Sequence, residues 1–285
     1  MLENILGARR KTNKDFCEIK VDFSTFFLYY KTMKEIINSK DNKYFKFFKK
    51  ILIKKYRYRE NLFLVEGSVV ISEALKYCKP SYIVVEESKE SEFSYILKKQ
   101  KYLVFSDELF QKICDSESPQ GICAYFPMIH KKFEEKEGQF LFLDDIKDAG
   151  NLGGIIRTCD AFGISGLIIS ENSCDLYNPK TVRSTMASIF RLPIYFASRE
   201  EIILSTFKIT STSLNDAVDI NEYKFSKNEI IVIGNEAHGV SQEILKRSDG
   251  KIKISIREGV DSLNAGVAAG ICLFMMNGKE LWNIF

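Results

Sequence analysis

The segment 139–163 constrains the fold more than any other part of the chain. It opens with Gln139–Leu143, an apolar run typical of a buried β-strand, and this run ends in two carboxylates. The next residues are rich in turn formers, and we predict a helix from Leu152 to Phe162. A buried strand followed directly by a helix is the repeating unit of parallel α/β sheets, so we expect that fold class.

The two faces of this predicted helix differ in character. At about 100° per residue the apolar side chains share one face; they are Leu152, Ile155, Ile156, Cys159 and Phe162. Arg157 falls on the opposite face, beside Gly153, Gly154 and Ala161, which have little or no side chain. A backbone left bare around one arginine invites close approach, either by a partner helix or by a ligand.

Short apolar strands alternate with helices along most of the chain, which predicts two α/β units. In the first half we predict strands at Leu62–Glu66, Ser81–Val85, Tyr102–Phe105 and Cys123–Phe126. After 139–143 we predict strands at Gly166–Ser170, Phe207–Thr210, Glu229–Ile233 and Lys251–Ile256. The polar stretch between the halves is typical of a linker. We therefore expect four parts: an extension of unknown role (1–32), a first domain (33–127), a linker (128–138) and a second domain (139–285).

A final helix is predicted from Leu263 to Met276, with Ser262 as its N-terminal cap. It is apolar nearly all round, so we expect it to be buried. Gly266 and Gly270, four residues apart, allow another backbone to pack closely. This spacing fits either packing within the core or a helix-to-helix contact in a dimer.

The distribution of charge is more informative than the net charge of +3. From Met33 to Asn61 there are ten lysines and arginines against three acidic residues, interleaved with aromatic side chains. We predict one basic amphipathic helix over 42–56. Such a charge run is usually a solvated helix face, and contact with RNA is favoured only if another feature indicates RNA.

Several classes of protein are disfavoured by the sequence. Seven scattered cysteines without a CxxC pair fit reduced thiols in the cytoplasm, and only two histidines argue against a metal centre. No apolar run approaches the roughly 20 residues of a membrane span, and the start of the chain lacks the apolar core of a signal peptide. Neither GxGxxG nor GxxxxGK[ST] occurs, so nucleotide-binding loops of those types are not expected.

Three predicted loops, 144–151, 234–241 and 257–262, follow strand ends in the second half. Ligands of open α/β sheets bind outside the carboxyl ends of the strands, so we expect these loops to cluster. The polar residues that they and the adjoining helices would bring together are Asn151, Arg157, Glu236, Ser262 and Asn264. These features alone indicate an α/β enzyme or binding protein with a basic, RNA-like arm.

Three segments resemble, in order, the signature motifs of the SpoU/TrmH family of RNA ribose methyltransferases, in the SPOUT superfamily. They are Asp148–Arg157 with Ala161–Gly163, Ile231–Ser241, and Ile254–Ile256 through Ser262–Asn264. The first domain, from Arg57 through Gly67 to Gly121, resembles the substrate-binding domain of that family, which is like an RNA-binding ribosomal protein. The resemblance covers the chain from about Met33 onward.

The resemblance implies a C-terminal SPOUT domain with a deep trefoil knot near 231–276, a homodimer formed through that domain, and S-adenosylmethionine as cofactor. It implies methylation of a ribose 2′-hydroxyl in structured RNA, with rRNA preferred to tRNA. The cofactor would lie against Thr212, Ser213, Gly234, Ile254 and Leu263. The residues expected to bind RNA are Lys43, Lys46, Lys50, Lys54, Arg57 and Arg59. No metal and no membrane are expected, and the expected location is the cytoplasm.

The matching arginine in this family is proposed to act as a base, which would give that role to Arg157. Because a guanidinium normally keeps its charge, we favour a role for Arg157 in holding a phosphate and stabilising the developing alkoxide. Asn151, Ser262 and Asn264 would orient Arg157 and the ribose, and Glu236 would hold Arg157 or the nucleotide.

The chain departs from the family pattern at Ala149, Ser255 and Glu258, and Ala265-Gly266 replaces the usual Val-Ser. None of these departures removes a proposed catalytic side chain, although Ser255 and Glu258 could reshape the cofactor loop. The alternatives are a non-catalytic RNA-binding protein on the same fold and, more weakly, a cofactor-dependent enzyme acting on a small molecule.

Overall fold

Two β-sheets organise the chain, one in each half. The computed structural model describes residues 35–260 and 262–281, so the predicted extension over 1–32 lies outside the described residues. We call residues 36–127 the first lobe and residues 131–281 the second lobe. The α/β class expected from the alternating strands and helices is confirmed in both lobes.

The first sheet has five strands in the order β1-β4-β3-β5-β2, and only β5 runs antiparallel to its neighbours. Its strands are β1 (Ile36–Ile37), β2 (Leu62–Glu66), β3 (Tyr82–Glu86), β4 (Leu103–Phe105) and β5 (Ile122–Pro127). The helices of this lobe are α1 (Lys43–Ile51), α2 (Lys54–Glu60), α3 (Ser68–Ala74), α4 (Ser94–Leu97) and α5 (Asp107–Ile113), with a 3-10 helix at Glu87–Phe93.

The second sheet has eight strands in the order β11-β13-β10-β12-β7-β8-β9-β6, and all its pairings are parallel. Its strands are β6 (Lys131–Lys132), β7 (Gln139–Asp144), β8 (Gly166–Ile169), β9 (Ile194–Phe196), β10 (Lys208–Thr212), β11 (Val218–Asp219), β12 (Glu229–Gly234) and β13 (Gly250–Lys253). Its helices are α6 (Ala149–Phe162), α7 (Pro179–Ser184), α8 (Arg199–Ile203), α9 (Gln242–Arg247) and α10 (Ala265–Leu281), with a 3-10 helix at Ser188–Phe190.

The two lobes share an apolar core. The ring of Phe63 on β2 lies 4.8 Å from that of Tyr177, and the ring of Phe126 on β5 lies 4.8 Å from that of Phe190. Burial of large aromatic side chains is among the strongest contributions to packing. The lobes are therefore joined by a continuous interior rather than by the connecting segment alone.

Two ion pairs, each with a buried carboxylate, also cross between the lobes. Arg57 on α2 binds Asp175 at 2.6 Å, with 3% and 7% of the two side chains exposed. Arg183 on α7 binds Glu66 on β2 at 2.9 Å. Buried charges are tolerated only when they are paired, so each of these contacts holds the lobes in one relative position.

The basic segment differs from the expected single helix over 42–56. The structure has two helices, α1 and α2, with Ile53 extended between them. The break turns Arg57 inward, where its guanidinium donates to the carbonyls of Ile51 and Leu52. The prediction that Arg57 binds RNA is wrong, because its side chain is buried and its two terminal guanidinium nitrogens donate to groups within the protein.

Two further expectations need correction. The segment expected to be only a linker contains β6, which extends the second sheet beside β9. The last helix is not buried all round, since 51% of Val267 and 40% of Phe274 are exposed. It begins at Ala265 and the last strand ends at Lys253, earlier than the expected Ile256.

Among the described residues, no helix has the length and apolar character that crossing a membrane requires.

Candidate active site

The carboxyl ends of four neighbouring strands lie at one edge of the second sheet. In the order β13, β10, β12 and β7 these strands end at Lys253, Thr212, Gly234 and Asp144. Gly234 pairs directly with Asp144. Ligands of open parallel sheets bind beyond this edge, so the segments that follow these strands form the candidate site.

Three of the predicted site residues, from three separate segments, are joined by hydrogen bonds. Asn151 Nδ2 donates to Glu236 Oε1 at 2.9 Å, and Asn264 Nδ2 donates to Asn151 Oδ1 at 3.0 Å. Since the Asn151 amide donates on one side and accepts on the other, its orientation is determined by both neighbours. We call Asn151, Glu236 and Asn264 the amide–carboxylate cluster.

Helix starts position two members of this cluster. Asp148 caps α6 by accepting from the Asn151 backbone N–H at 2.8 Å, so α6 begins at Ala149 rather than at Leu152. Asn264 Oδ1 accepts from the N–H groups of Gly266 and Val267 at the start of α10. The prediction that Ser262 caps this helix is wrong, because Asn264 stands at the position from which a side chain reaches those N–H groups. Ser262 is exposed.

The two glycines of α10 face α6 within the same chain. A Cβ on Gly266 would lie 3.8 Å from Asn151 Oδ1, and one on Gly270 would lie 3.8 Å from Thr158 Cγ2. Of the two alternatives for this glycine pair, the described contacts therefore support packing within the chain. This packing brings Asn264, at the start of α10, to Asn151 on α6.

Glu236 is held by a tight turn that follows β12. Asn235 and Gly239 exchange backbone hydrogen bonds, and a Cβ on Gly234 would lie 2.1 Å from the carbonyl carbon of Gly239, so only glycine fits there. Partial burial raises the pKa of Glu236, but hydrogen bonds from the Asn151 side chain and from nearby backbone N–H groups outweigh this effect. Its pKa therefore lies below the ordinary value, and at neutral pH the side chain is a carboxylate that accepts hydrogen bonds.

Arg157 lies two turns further along α6 and is exposed. Among the residues that the structure describes it has no hydrogen-bond or ion-pair partner, so the amide–carboxylate cluster does not hold it. Gly154 beside it has no atom within 4 Å of an added Cβ, whereas Gly153 packs against Ser184 and Thr181 of α7. The bare face expected around Arg157 is thus only partly open, and its guanidinium is available to a ligand.

The predicted cofactor residues cluster at the same sheet edge, except for Leu263. Thr212 ends β10 and Ser213 follows it, Gly234 ends β12, and Ile254 follows β13. Leu263 precedes α10 beside Asn264. Adenosine needs apolar contacts for its ring and backbone groups for its polar edge, and it carries no phosphate. Ile254 and Leu263 are half-buried apolar side chains beside strand ends that offer backbone groups, so the residues present fit S-adenosylmethionine.

Sequence analysis missed a charged contact that supports this edge. Arg199 on α8 binds Asp144 Oδ1 at 2.6 Å and Asp145 Oδ2 at 2.7 Å. Asp144 also accepts from the Ser241 N–H, and the Asp145 carbonyl accepts from Asn235 Nδ2. These bonds connect the end of β7 with the turn that holds Glu236. The two consecutive carboxylates at the end of β7 could have indicated a charged contact. Their partner could not be identified from the sequence, because Arg199 is 54 residues away from Asp145 in the chain.

No thiol of this site is a candidate nucleophile. Cys174 lies near Asp148 and Glu236, and burial, followed by the charge of these carboxylates, raises its pKa to about 11. Because the reactive form of cysteine is the thiolate, this thiol is unreactive near neutral pH.

Five of the six predicted RNA-binding residues are exposed on the first lobe; they are Lys43, Lys46, Lys50, Lys54 and Arg59. Aromatic side chains lie among them, with Lys54 Nζ 5.7 Å from the ring of Tyr58 and the Arg59 guanidinium carbon 4.8 Å from the ring of Tyr56. Cations interleaved with aromatic rings suit contacts with phosphates and bases.

Comparison with protein families matches both lobes. Residues 138–274 match the SpoU rRNA methylase family, and residues 42–124 match the MRM3-like substrate binding domain. Bacillus subtilis 23S rRNA (guanosine(2553)-2′-O)-methyltransferase RlmP is 30% identical over 253 residues, which cover 86% of this chain and all of that relative.

Solved structures show the same fold. The AdoMet-bound rRNA methyltransferase from Sinorhizobium meliloti superposes with a TM-score of 0.76 at 28% identity, covering 87% of this chain and 98% of that one. The SpoU methyltransferase AviRb from Streptomyces viridochromogenes superposes with a TM-score of 0.74 at 24% identity, covering 85% and 99%, and supports the fold alone.

The fold and the position of the site define an α/β protein with the architecture of a methyltransferase. With a relative matched over its full length, the chain belongs to the SpoU rRNA methylase family, which confirms the resemblance seen in the three motifs.

Proposed function

We propose that this protein methylates a ribose 2′-hydroxyl of ribosomal RNA, with S-adenosylmethionine as methyl donor. The observation that carries the proposal is the amide–carboxylate cluster, which joins all three family motifs at one sheet edge. The B. subtilis relative is named as a 23S rRNA 2′-O-methyltransferase, and the S. meliloti structure is of an AdoMet-bound rRNA methyltransferase. Both descriptions support rRNA as the substrate, and the name of the B. subtilis relative specifies 23S rRNA.

When bound, S-adenosylmethionine would supply an activated methyl group for transfer to the ribose oxygen, and the hydroxyl proton would pass to solvent or a base. The protein must hold the hydroxyl in line with that methyl group. Asn151, Glu236 and Asn264 provide a rigid, hydrogen-bonded wall for this purpose. The exposed guanidinium of Arg157 binds the adjacent phosphate and stabilises the developing negative charge, since it is permanently charged and has no competing partner among the described residues.

We assign RNA binding and catalysis to different domains, with the boundaries expected from the sequence. Residues 33–127 bind the RNA, residues 128–138 connect and residues 139–285 catalyse. The exposed cations on α1 and α2 contact the RNA backbone, while Arg57 holds the lobes together. An rRNA substrate also makes the cytoplasm the site of action.

We further propose a homodimer formed through the second lobe. Val267 and Phe274 are exposed on α10 and Ile271 is half-buried, a stripe at helical spacing that a second copy would cover. Phe274→Glu should convert a dimer to monomers in sedimentation. A wild-type protein that sediments as a monomer at micromolar concentration would contradict this proposal.

The trefoil knot near 231–276 is proposed on the resemblance together with the strand order, in which β13 returns beside β10 rather than beside β12. Stretching the chain from both ends tests it. A knotted chain stops short of the extended length of roughly 3.3–3.6 Å per residue, and an unknotted one reaches it.

The activity is tested with purified protein, ribosomal RNA and S-adenosylmethionine labelled in the methyl group. We expect transfer of label to a ribose that then resists alkaline cleavage, and mapping of ribose methylation in a deletion strain identifies the nucleotide. RNA binding without label transfer, and without calorimetric binding of millimolar S-adenosylmethionine, would instead indicate a non-catalytic RNA-binding protein.

A further inference from the structure

A groove of about 270 Å³ lies between the two lobes, away from the amide–carboxylate cluster. The first lobe contributes Tyr77, the connecting segment contributes Ile129 and Lys131, and the second lobe contributes Phe190, Arg191 and Leu192. Its volume is near the lower limit of pockets that bind small organic groups, roughly 300 Å³. It is large enough for one planar ring.

One side of the groove presents an aromatic ring to solvent. Tyr77 is 52% exposed, which is unusual for a large side chain beside an apolar cavity. The Arg191 guanidinium carbon lies 5.8 Å from the centre of this ring, and Phe190 and Leu192 are apolar residues of the groove lining. Exposed aromatic rings of this kind are the surfaces on which unpaired RNA bases stack.

The charge around the groove is positive. Arg191 is neutralised by Asp160 at 2.6 Å and lies 3.3 Å from Glu73, and Glu73 also binds Lys76 at 2.6 Å. Lys131 lines the groove and Lys79 follows Tyr77 by two residues in the chain; both are exposed and have no ion-pair partner in the described part of the chain. Two uncompensated cations beside an aromatic ring are complementary to a phosphodiester backbone with a splayed base.

The groove adjoins the position of Arg157. Arg191 binds Asp160, which follows Arg157 on α6 by three residues. Residues three apart on a helix are surface neighbours with a rise of about 4.5 Å between them. An RNA strand whose phosphate binds Arg157 can therefore extend along this side of α6 to Tyr77.

We propose that this groove is a subsite for one unpaired nucleobase next to the methylated nucleotide, an inference that rests on the function proposed above. The base stacks on Tyr77, Lys131 binds an adjoining backbone phosphate, and Lys79 adds positive charge near Tyr77. The subsite selects RNA in which a nucleotide near the target is unstacked, and it reads the shape of the strand more than the identity of the base.

The test compares Tyr77→Ala, Tyr77→Phe and the control Tyr95→Ala, which removes a 66% exposed tyrosine on α4 of the same lobe. RNA affinity is measured by titration with an rRNA fragment, and KM and kcat are measured separately. Tyr77→Ala should weaken RNA binding and raise KM for RNA roughly 5- to 100-fold, the range for loss of one stacked base. Tyr77→Phe and Tyr95→Ala should bind like the wild type, and kcat and S-adenosylmethionine affinity should change little.

The base that occupies the groove is identified with RNA fragments that each lack one base beside the target nucleotide. One abasic position should weaken binding to the wild type but not further weaken binding to Tyr77→Ala. Equal RNA affinities for Tyr77→Ala and Tyr95→Ala, or an abasic scan in which every position adds to the Tyr77→Ala defect, would overturn the subsite.

Lys131→Ala provides a second variant that leaves Tyr77 in place. It should reduce the slope of log affinity against log salt by about 0.7 to 0.9, the value of one phosphate contact, and an unchanged slope would remove Lys131 from the subsite. Because all these measurements are of RNA binding, they are separable from the proposed activity. Failure of the wild type to bind S-adenosylmethionine or transfer methyl would refute the function without deciding the groove.

Discussion

Arg57 on α2 and Arg157 on α6 were both predicted to contact RNA. In the structure the first is buried and the second is exposed. Arg57 is 3% exposed and bonds to Asp175 and to the carbonyls of Ile51 and Leu52. Arg157 is exposed and has no bonding partner among the described residues. An arginine thus connects the two lobes at position 57, whereas at position 157 its charge is available to a ligand.

The difference shows how burial determines what a charge can do. Removing a guanidinium from water is costly unless its donors are satisfied, so a buried arginine is committed to the partners that satisfy it. An exposed arginine carries no such cost and can bind a phosphate when one arrives. The junction between the lobes and the open face of α6 are therefore expected to respond differently to the same substitution.

The largest effect is expected for Arg57→Ala. It leaves Asp175 buried without its cation, and breaking such a pair costs about 3–5 kcal/mol in free energy of unfolding. The matched control is Arg59→Ala, where the side chain is 58% exposed and forms an ion pair with its neighbour Glu60. We expect its unfolding free energy to change by less than about 0.5 kcal/mol while RNA affinity falls. Denaturant titration of both variants measures their free energies of unfolding. Equal values would show that the buried and the exposed arginine do not differ in their contribution to stability.

A slightly smaller effect, on catalysis rather than stability, is expected for Arg157→Ala. Loss of one donor to developing charge lowers kcat about 10²- to 10³-fold. The unfolding free energy should stay within about 0.5 kcal/mol of wild type, because the side chain is exposed. Arg157→Lys keeps the charge but loses the planar fork. Turnover of this variant near that of wild type would count against two-point phosphate binding.

Substitutions at the two glycines beside Arg157 distinguish the part of the α6 surface that packs against α7 from the part that is open. In Gly153→Ala the new Cβ would lie 2.6 Å from the Thr181 carbonyl oxygen and 2.4 Å from Ser184 Cβ, so α7 must shift at a cost of about 1–3 kcal/mol. Gly154→Ala meets nothing within 4 Å and should stabilise α6 by up to about 1 kcal/mol. Thermal unfolding of the two variants should therefore change in opposite directions. A shared direction would mean that α7 does not press on α6 as described.

The smallest expected effect concerns pH and the amide–carboxylate cluster. Because the folded pKa of Glu236 is lowered, its bonds contribute stability above the ordinary carboxyl pKa of about 4.3 and lose it as pH falls through the lower folded value. The stability difference between wild type and Glu236→Gln should be constant from pH 7 to pH 5 and shrink below about pH 4. A difference that instead disappears between pH 7 and pH 5 would show that the pKa of Glu236 is raised.

Much of the fold could be predicted from local patterns. Strands such as Leu62–Glu66 and Glu229–Gly234 are apolar runs with turn residues beyond them, and the apolar face of α6 follows helical periodicity. The boundaries that failed depended on competition between neighbours. With Asp148 as its cap, α6 begins at Ala149 and not at the predicted Leu152, and Asn264 rather than Ser262 caps α10, since several side chains in each stretch could cap and only geometry selects one.

The candidate site was predictable as a set of residues but not as an arrangement. The rule for parallel sheets placed Asn151, Glu236 and Asn264 at one edge before any contact was known. Their mutual hydrogen bonds and the separation of Arg157 from them depend on how α10 packs beside α6. The Arg199 contact with Asp144 and Asp145 joins distant parts of the chain, so no local sequence pattern predicts it.

The amino-acid sequence by itself determined the class of fold, the order of the motifs and the apolar face of α6, because these follow from periodicity and side-chain size. Tertiary structure decided which charges are available. It buried Arg57 against Asp175, placed Val267 and Phe274 in solvent, and aligned Tyr77 with Arg191 across two lobes. Burial and pairing arise only when distant segments meet, so no reading of neighbouring residues could assign them.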